Sequence, residues 1–181
     1  MESDFITRYS PYGKGMTEHY KLVDNFCLFW IKYVADNQDE ASFMNDNCTS
    51  NIMRSWCGVA FELVCWQHIL QIKRALEIGG VRTSVSAWNM KGSDSSQGAQ
   101  VDMLIIRDDN IVNLCEMKYA TTSYSIDKEE EQKMLHRVEA LSATLSDKQT
   151  VHLTLVTTYG LQHGKHSGKV QRVVTCDDLF V

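Results

Sequence analysis

The chain has 181 residues, of which 44% are hydrophobic and 23% charged, and a formal net charge of −5. This length is enough for one domain with its own core, and the composition is ordinary for a globular protein. The acidic balance excludes a global basic field, so any contact with nucleic acid has to be local. The sequence has no apolar run of about eighteen residues, and its polar first ten residues do not resemble a signal peptide, so we expect no membrane association.

The six cysteines contain no Cys-x-x-Cys pair, and most lie inside apolar runs. This pattern is typical of reduced core cysteines rather than of a disulfide framework. We therefore expect a cytoplasmic protein.

The first part of the chain is predicted to be helical. Residues 1–15 contain Pro11, Gly13 and Gly15 and are interpreted as an irregular lead-in. Residues 17–37 repeat apolar side chains at steps of three and four, which predicts a helix. Residues 36–50 are polar and predict a linker or an exposed loop. We expect residues 1–50 to form a helical extension that packs on a core domain of residues 51–181.

Residues 52–78 predict a longer helix that is apolar on most sides, so we expect it to be covered on both sides. Gly79 and Gly80 are interpreted as its C-cap. Residues 81–88 have β character, and residues 89–98 are rich in glycine and serine and predict a flexible loop.

Residues 98–120, GAQVDMLIIRDDNIVNLCEMKYA, predict a β-hairpin. Two apolar runs flank the polar sequence RDDN, which is typical of a turn. A three-residue loop with Asn110 in the left-handed region would pair Arg107 with Ile111. That register sets Asp102 opposite Glu116, with Lys118 diagonally next to them.

Residues 127–145 predict a helix with Asp127 as its N-cap and Glu130 completing a capping box. Its expected core stripe is Met134, Val138, Leu141 and Leu145. Residues 151–157 and 170–175 predict two further strands. The order of elements predicts a layered α/β domain.

This order, with an acid on the second strand and Glu-x-Lys on the third, resembles the PD-(D/E)XK (restriction-endonuclease-like) nuclease superfamily over about residues 52–158. The resemblance implies an αβββαβ core whose mixed central sheet is flanked by helices. It matches Asp102 and Glu116 to the metal-binding acids and Lys118 to the catalytic lysine. Glu62 is matched to an extra metal-binding acid on the first helix. The implied activity is Mg²⁺- or Mn²⁺-dependent hydrolysis of DNA.

Four motifs are similar to the C-terminal nuclease-like domain of AAA-family ATPases from Bacteroides-like bacteria. They are GAQVD (98–102), NLCEMKY (113–119), TTYG (157–160) and DDLF (177–180). The segment YKLVDNFCLFW (20–30) is similar to the helical region that follows the ATPase in such proteins. The chain has no GxxxxGK[ST] motif, so ATP binding is not carried over. The partners that this resemblance leaves open are an ATPase domain, another protein or a second copy of the chain.

The chemistry of the matched residues agrees with this activity. Neighbouring carboxylates repel each other unless a cation lies between them, and hard oxygen ligands favour Mg²⁺ or Mn²⁺. Lys118 could position or deprotonate the attacking water, or stabilise the developing charge. The alternative is a structural ion-pair cluster, since charged residues on an apolar strand are paired or metal-bound.

Two supporting residues also have open interpretations. Glu62 shares a helix face with apolar side chains, so it either binds metal or pairs with a base such as Arg82. Gln100 shares the side of Asp102 and could coordinate through its carbonyl or orient a water. In relatives that carry Glu at the position of Gln100, the site has one more negative charge.

The expected nucleic-acid contacts are local. The basic stretch 163–172 contains Lys165, Lys169 and Arg172, and it is either a phosphate-binding loop or an exposed hairpin tip. Lys128 and Arg137 are predicted to face outward on the following helix, where they could contact phosphates.

Three functions are therefore open: a DNA nuclease, an inactive nuclease-fold module that binds nucleic acid or a partner ATPase domain, and an RNA hydrolase. The sequence does not separate DNA from RNA.

Overall fold

The computed structural model describes residues 5–9, 11–13, 19–35, 48–92 and 98–181. Seven strands form a two-stranded sheet and a five-stranded sheet within these residues. The small sheet pairs β1 (Ile6–Tyr9) with β2 (His19–Leu22). The strands of the large sheet, in spatial order, are β3 (Thr83–Met90), β4 (Ala99–Arg107), β5 (Ile111–Lys118), β6 (Thr150–Thr157) and β7 (Arg172–Thr175).

The large sheet is mixed. β3, β4 and β5 are antiparallel, whereas β5, β6 and β7 run parallel. The helices are α1 (Asn25–Phe29), which continues into a π-helical turn (Trp30–Val34), then α2 (Asn51–Gln67), α3 (Ile69–Ala75), α4 (Lys128–Ser142) and a 3-10 turn (Asp177–Phe180). The predicted α/β architecture, with a mixed sheet flanked by helices, is confirmed at this level.

Each face of the large sheet has its own core. On one face, Phe61 and Cys65 of α2 and Ile72 of α3 pack on Met103 and Cys115. On the other face, Met134 and Leu141 of α4 pack with Leu104, Val112 and Leu114. The two faces follow from the alternation of side chains along β4 and β5. As a result, Leu104, Val112 and Leu114 face α4. The alternation along β4 is broken between Val101, which lies in the core on the α4 side, and Met103, which lies in the core on the α2 side.

The hairpin register predicted from the sequence is confirmed. Asn110 has a φ of 64°, in the left-handed region. The strands pair Ile106 with Val112 and Met103 with Cys115. The recorded pairs of β4 with β5 end at Met103–Cys115, so the predicted pair of Asp102 with Glu116 stays a prediction.

Helix α4 also follows its prediction. The side chain of Asp127 accepts a hydrogen bond of 2.8 Å from the backbone N–H of Glu130, as an N-cap does. Met134 and Leu141 are buried, while Val138 and Leu145 are partly buried against the same core. The helix connects the parallel strands β5 and β6, so its buried stripe faces the sheet.

The expected N-terminal helix is wrong in its first part. Residues 19–22 form β2 and pair with β1, which lies in the segment interpreted as irregular. The helix begins at Asn25 because Asp24 caps it, accepting a hydrogen bond of 2.6 Å from Cys27 N. Residues 1–50 are therefore not a purely helical extension. Residues 36–47 of the predicted loop lie outside the described residues.

The N-terminal elements contact the core at several points. Tyr12 N donates a hydrogen bond of 2.9 Å to Ala87 O on β3. The ring of Trp56 on α2 lies 5.3 Å from that of Phe29 and 5.9 Å from that of Tyr33. These contacts place the small sheet and α1 beside α2 and β3.

The long helix predicted for residues 52–78 is divided and ends early. The backbone of His68 leaves helical geometry, which separates α2 from α3. Glu77 takes the left-handed position that was assigned to the two glycines, with a φ of 60°. Ile78 N then bonds Lys73 O at 3.0 Å, which closes the helix end and buries Ile78. The Gly79–Gly80 cap was therefore wrong by two residues.

Two further expectations concern loops. The loop predicted for residues 89–98 is shorter, because β3 extends to Met90, and residues 93–97 lie outside the described part of the chain. The hairpin tip proposed for residues 163–172 is wrong, because β6 and β7 are parallel and the segment is a crossover between them. Among the described residues, no helix is long and apolar enough to cross a membrane.

Two cysteines are core thiols. Cys65 and Cys115 are buried between α2 and the sheet, and all six cysteines are free thiols. Burial raises the pKa of Cys115 to about 12, so this thiol remains protonated and unreactive. Cys115 thus faces away from Glu116, as the strand alternation predicts.

Candidate functional site

Asp102 lies in a bulge of β4. Between the pairs Trp88–Val101 and Ser86–Leu104, β4 has two residues where β3 has only Ala87. A bulge locally bends the strand and redirects a side chain, and such bulges are frequent next to functional sites. The Asp102 carboxylate accepts a hydrogen bond of 2.9 Å from Gln100 Nε2. Gln100 therefore holds the acid in place from two residues away on the same strand.

Glu116 is a buried carboxylate that is held by an arginine. Its residue is 7% exposed. Arg137 Nη1 on α4 lies 3.1 Å from each of its two carboxylate oxygens. Burial raises the pKa of Glu116, while Arg137 and Lys118 oppose this effect and Asp102 adds to it. Because burial makes the ionised form of Glu116 costly, a neighbouring positive charge stabilises that form.

Lys118 bridges two carboxylates. Its Nζ lies 2.5 Å from Glu130 Oε1 and 3.9 Å from Glu116 Oε2. The hydroxyl of Tyr124 is hydrogen-bonded to Glu130, and burial with this carboxylate raises the pKa of Tyr124. We call Asp102, Glu116, Lys118, Glu130 and Arg137 the charged network. It joins β4, β5 and α4 at one end of the sheet.

Glu62 on α2 lies within electrostatic reach of the charged network. Burial is the main effect that raises the pKa of Glu62, and the negative charge of Asp102 raises it further. The positive charges of Lys21 on β2 and of Lys118 lower this pKa. Arg82, the partner considered from the sequence, lies at the opposite end of the sheet, where Asp108 N bonds its carbonyl. The cations near Glu62 are therefore Lys21 and Lys118.

The acids fit a divalent cation by their chemistry. The charge of Asp102 raises the pKa of both Glu62 and Glu116, an effect that a cation would offset. Within the described residues, no three His, Cys, Asp or Glu side chains are grouped closely enough to hold a metal ion. Mg²⁺ is commonly held by one or two carboxylates together with water and phosphate oxygens. Asp102 and Glu116 are the two carboxylates that would meet that smaller requirement.

Arg137 corrects the sequence prediction. It was expected to face outward, but it points to the sheet and pairs with Glu116, because it lies between Met134 and Leu141 on the buried stripe. Lys128 is exposed at the start of α4. Lys165 and Lys169 are exposed in the β6–β7 crossover, and Arg172 is exposed at the start of β7.

The crossover is attached to α4 next to the charged network. His166 Nδ1 lies 2.6 Å from Glu131 Oε2, the residue that follows Glu130. Because this contact fixes the crossover on the first turns of α4, its exposed lysines lie near the helix end that faces the site. The placement is compatible with phosphate contacts by this loop.

Sequence reasoning missed the roles of Lys21, Glu130 and Tyr124. Glu130 was assigned to a capping box, although its carboxylate lies next to Lys118. A signal for it existed, since a glutamate that follows an N-cap by three residues lies near the preceding strand. Lys21 comes from the strand that was taken for a helix, and no local pattern indicated its position.

Two openings lead to the charged network. A groove of about 790 Å³ runs between the β3–β4 end and α4, with Gln100, Lys133 and Arg137 in its lining. A smaller cavity of about 280 Å³ lies under the N-terminal small sheet and includes Gln100 and Asp102. Gln100, which is hydrogen-bonded to Asp102, lines both.

No protein-family model matches the chain, and no curated protein matches it. Among solved structures, the chain is similar to the crystal structure of AF1548, a protein of unknown function, with 16% sequence identity and a TM-score of 0.42. The match covers 61% of this chain and 56% of that chain. It thus spans little more than half the length of that protein.

Proposed function

We propose that this chain is a metal-dependent nuclease of the PD-(D/E)XK type, which hydrolyses phosphodiester bonds in DNA. The observation that carries the proposal is that Asp102, Glu116 and Lys118 lie close together at the open end of the hairpin. The charge of Asp102 raises the pKa of Glu116, and Lys118 Nζ lies 3.9 Å from Glu116 Oε2. The restriction-endonuclease-like arrangement of the core is part of the same proposal.

Asp102 and Glu116 would hold a Mg²⁺ or Mn²⁺ ion, with Glu62 close enough to add negative charge. When bound, the cation would lower the pKa of a water molecule and neutralise charge on the phosphate. Gln100 keeps the carboxylate of Asp102 oriented through their hydrogen bond of 2.9 Å. The chain thus supplies an oriented acid on one strand and a buried acid on the other.

Lys118 is the group on this chain that is suited to the phosphate. Its ammonium group is partly exposed and is shared between Glu130 and Glu116. An ammonium held by carboxylates can donate a hydrogen bond to a phosphate oxygen as negative charge develops there. Arg137 acts through Glu116 as a positioning residue, since it contacts both oxygens of that acid.

Cleavage assays on the intact chain test the proposal. Supercoiled and single-stranded DNA and a matched RNA are incubated with Mn²⁺ or Mg²⁺. We expect Asp102→Asn, Glu116→Gln and Lys118→Met each to reduce cleavage by about 100-fold or more. Glu139→Gln and Lys148→Met change exposed residues away from the network and serve as matched controls. Cleavage that persists in all three site variants would contradict the proposal.

A non-catalytic interaction module is the second candidate, and two observations favour it. Arg137 already neutralises Glu116 without any metal ion. In addition, Phe26, Trp30 and Ile31 expose apolar side chains next to each other on α1 and the π turn, which is typical of a surface that binds a partner such as an ATPase domain.

Metal binding separates the two candidates without any substrate. A ligand that binds only the folded state raises the melting temperature, and at ten times its Kd it adds about 1.4 kcal/mol. For the nuclease we expect millimolar Mn²⁺ to raise the melting temperature of the wild type but not of Asp102→Asn. No shift in either protein would favour the interaction module.

A further inference from the structure

The cavity under the small sheet has an unusual lining for a gap between packed elements. Its lining includes the aromatic residues Tyr9, Tyr20 and Trp66 and the polar residues Gln100 and Asp102. Gaps left by imperfect packing are normally apolar. This cavity instead combines aromatic rings with polar groups and opens beside the proposed catalytic acid.

The cavity also contains a cation. Lys21 lines it and brings a positive charge next to the aromatic rings. A ligand that suits both features is flat and is attached to a negative charge.

We propose that this cavity binds one unpaired nucleobase of a nucleic acid strand. The rings provide stacking surfaces for any base. Lys21 can approach the backbone phosphate.

The size of the cavity selects an unpaired base. Its volume of about 280 Å³ is near the lower end for small-molecule sites, which begin at about 300 Å³. One base can enter, but a base pair cannot, so a duplex must first open or flip a nucleotide out of its stack. The chain should therefore prefer single strands.

The position of the cavity connects it to the site. Asp102 is part of its lining, so a base in the cavity would place its own phosphate near the charged network. This last step rests on the proposed function, whereas binding of the base does not. The N-terminal small sheet would then belong to the substrate site.

Binding of labelled oligonucleotides to the intact chain in EDTA tests the proposal. Fluorescence anisotropy is measured with a short single-stranded DNA, its duplex and the matching RNA. We expect the single strand to bind at least about five-fold more tightly than the duplex. Tyr9 and Trp66 have neighbouring rings, with centroids 6.3 Å apart, so base stacking should also quench tryptophan fluorescence.

Variants locate the binding. Tyr20 is 68% exposed and lines the cavity, whereas Phe180 is 66% exposed and does not line it, so Tyr20→Leu and Phe180→Leu are matched. We expect Tyr20→Leu to weaken binding of the single strand by about five-fold or more and Phe180→Leu to leave it unchanged. Lys21→Gln removes the charge, and Lys148→Gln is its control. We expect Lys21→Gln to weaken binding and Lys148→Gln to have no effect.

Equal affinity for single strand and duplex, absence of binding, or equal affinities of Tyr20→Leu and Phe180→Leu would overturn the proposal. The proposal is supported if a single strand of DNA or RNA binds and this binding depends on Tyr20. The strand that binds more tightly identifies the kind of nucleic acid that the cavity takes. If this binding is found but Mn²⁺ gives no cleavage, the proposed function fails and the base site stands. If cleavage occurs while Tyr20→Leu and Lys21→Gln bind normally, the base site fails alone.

Discussion

Arg137 Nη1 lies 3.1 Å from both carboxylate oxygens of Glu116, and this pair joins α4 to the third strand of the large sheet. The glutamate side chain is 9% exposed and the arginine side chain 26% exposed. The pair therefore has a structural role even before any substrate is bound.

Replacing Arg137 with Met should destabilise the fold. Removing one partner of a buried ion pair costs about 3–5 kcal/mol, and the partial exposure of Arg137 reduces this to about 1–3 kcal/mol at pH 7. Urea denaturation measures the change. Lys133→Met, which removes an exposed pair with Glu129 on the same helix, should cost less than about 0.5 kcal/mol. The double variant with Glu116→Gln should lose less than the sum of the two single variants, and strict additivity would contradict a direct interaction.

The stability of the fold should depend on Glu62 through pH. Its folded-state pKa is raised above the ordinary value of 4.5, mainly by burial. The folded state thus holds this proton more tightly, and the resulting stabilisation is complete below pH 4.5 and lost as the pH rises through the folded pKa. We expect Glu62→Gln to raise the free energy of unfolding at pH 7 in EDTA and to flatten its decrease above pH 4.5. Glu139→Gln, an exposed change on α4, should leave the pH profile as it is.

The hairpin turn should tolerate only certain residues at position 110. Asn110 has a φ of 64°, which is unfavourable for β-branched side chains. We expect Asn110→Val to reduce the free energy of unfolding by roughly 1–2 kcal/mol, while Asn110→Gly has little effect. Chemical denaturation compares the two variants. Equal free energies of unfolding for the two variants would contradict the conclusion that the turn needs a left-handed backbone at position 110.

Glu77 offers a site for stabilisation. It ends α3 in the left-handed region, with a φ of 60°, and its side chain is exposed. Glycine has no penalty for this conformation, so Glu77→Gly should raise the free energy of unfolding by roughly 0.5–1 kcal/mol. Glu77→Ala keeps the penalty and should give no gain. A thermal melt of both variants distinguishes backbone conformation from loss of the carboxylate.

The part of the site that could be predicted from sequence depends on local geometry. The turn at Asn110 determines the register of β4 and β5, so the pairs from Met103–Cys115 to Ile106–Val112 follow the prediction. The bulge at Asp102 was not predicted, because it depends on pairing with β3, and β3 contributes no distinctive residue at that point.

The errors came from contacts between distant segments. The apolar spacing of residues 17–37 suits a helix, but residues 19–22 pair with β1 instead. Arg137 was assigned to the surface by its charge, although its position three residues after Met134 and four before Leu141 places it on the buried stripe. The helical periodicity predicted the position of Arg137 better than its charge did, because the buried Glu116 on β5 pairs with it.

The crossover between β5 and β6 also has a consequence for folding. Glu116 and Lys118 come directly before it, and their partners Glu130 and Arg137 lie on the helix within it. These four charges can meet only after a loop of about ten residues has closed and α4 has docked, a step that follows local hairpin formation. Amide hydrogens of β5 near Glu116 should therefore gain protection from exchange later than those beside Asn110, so that the site is assembled last.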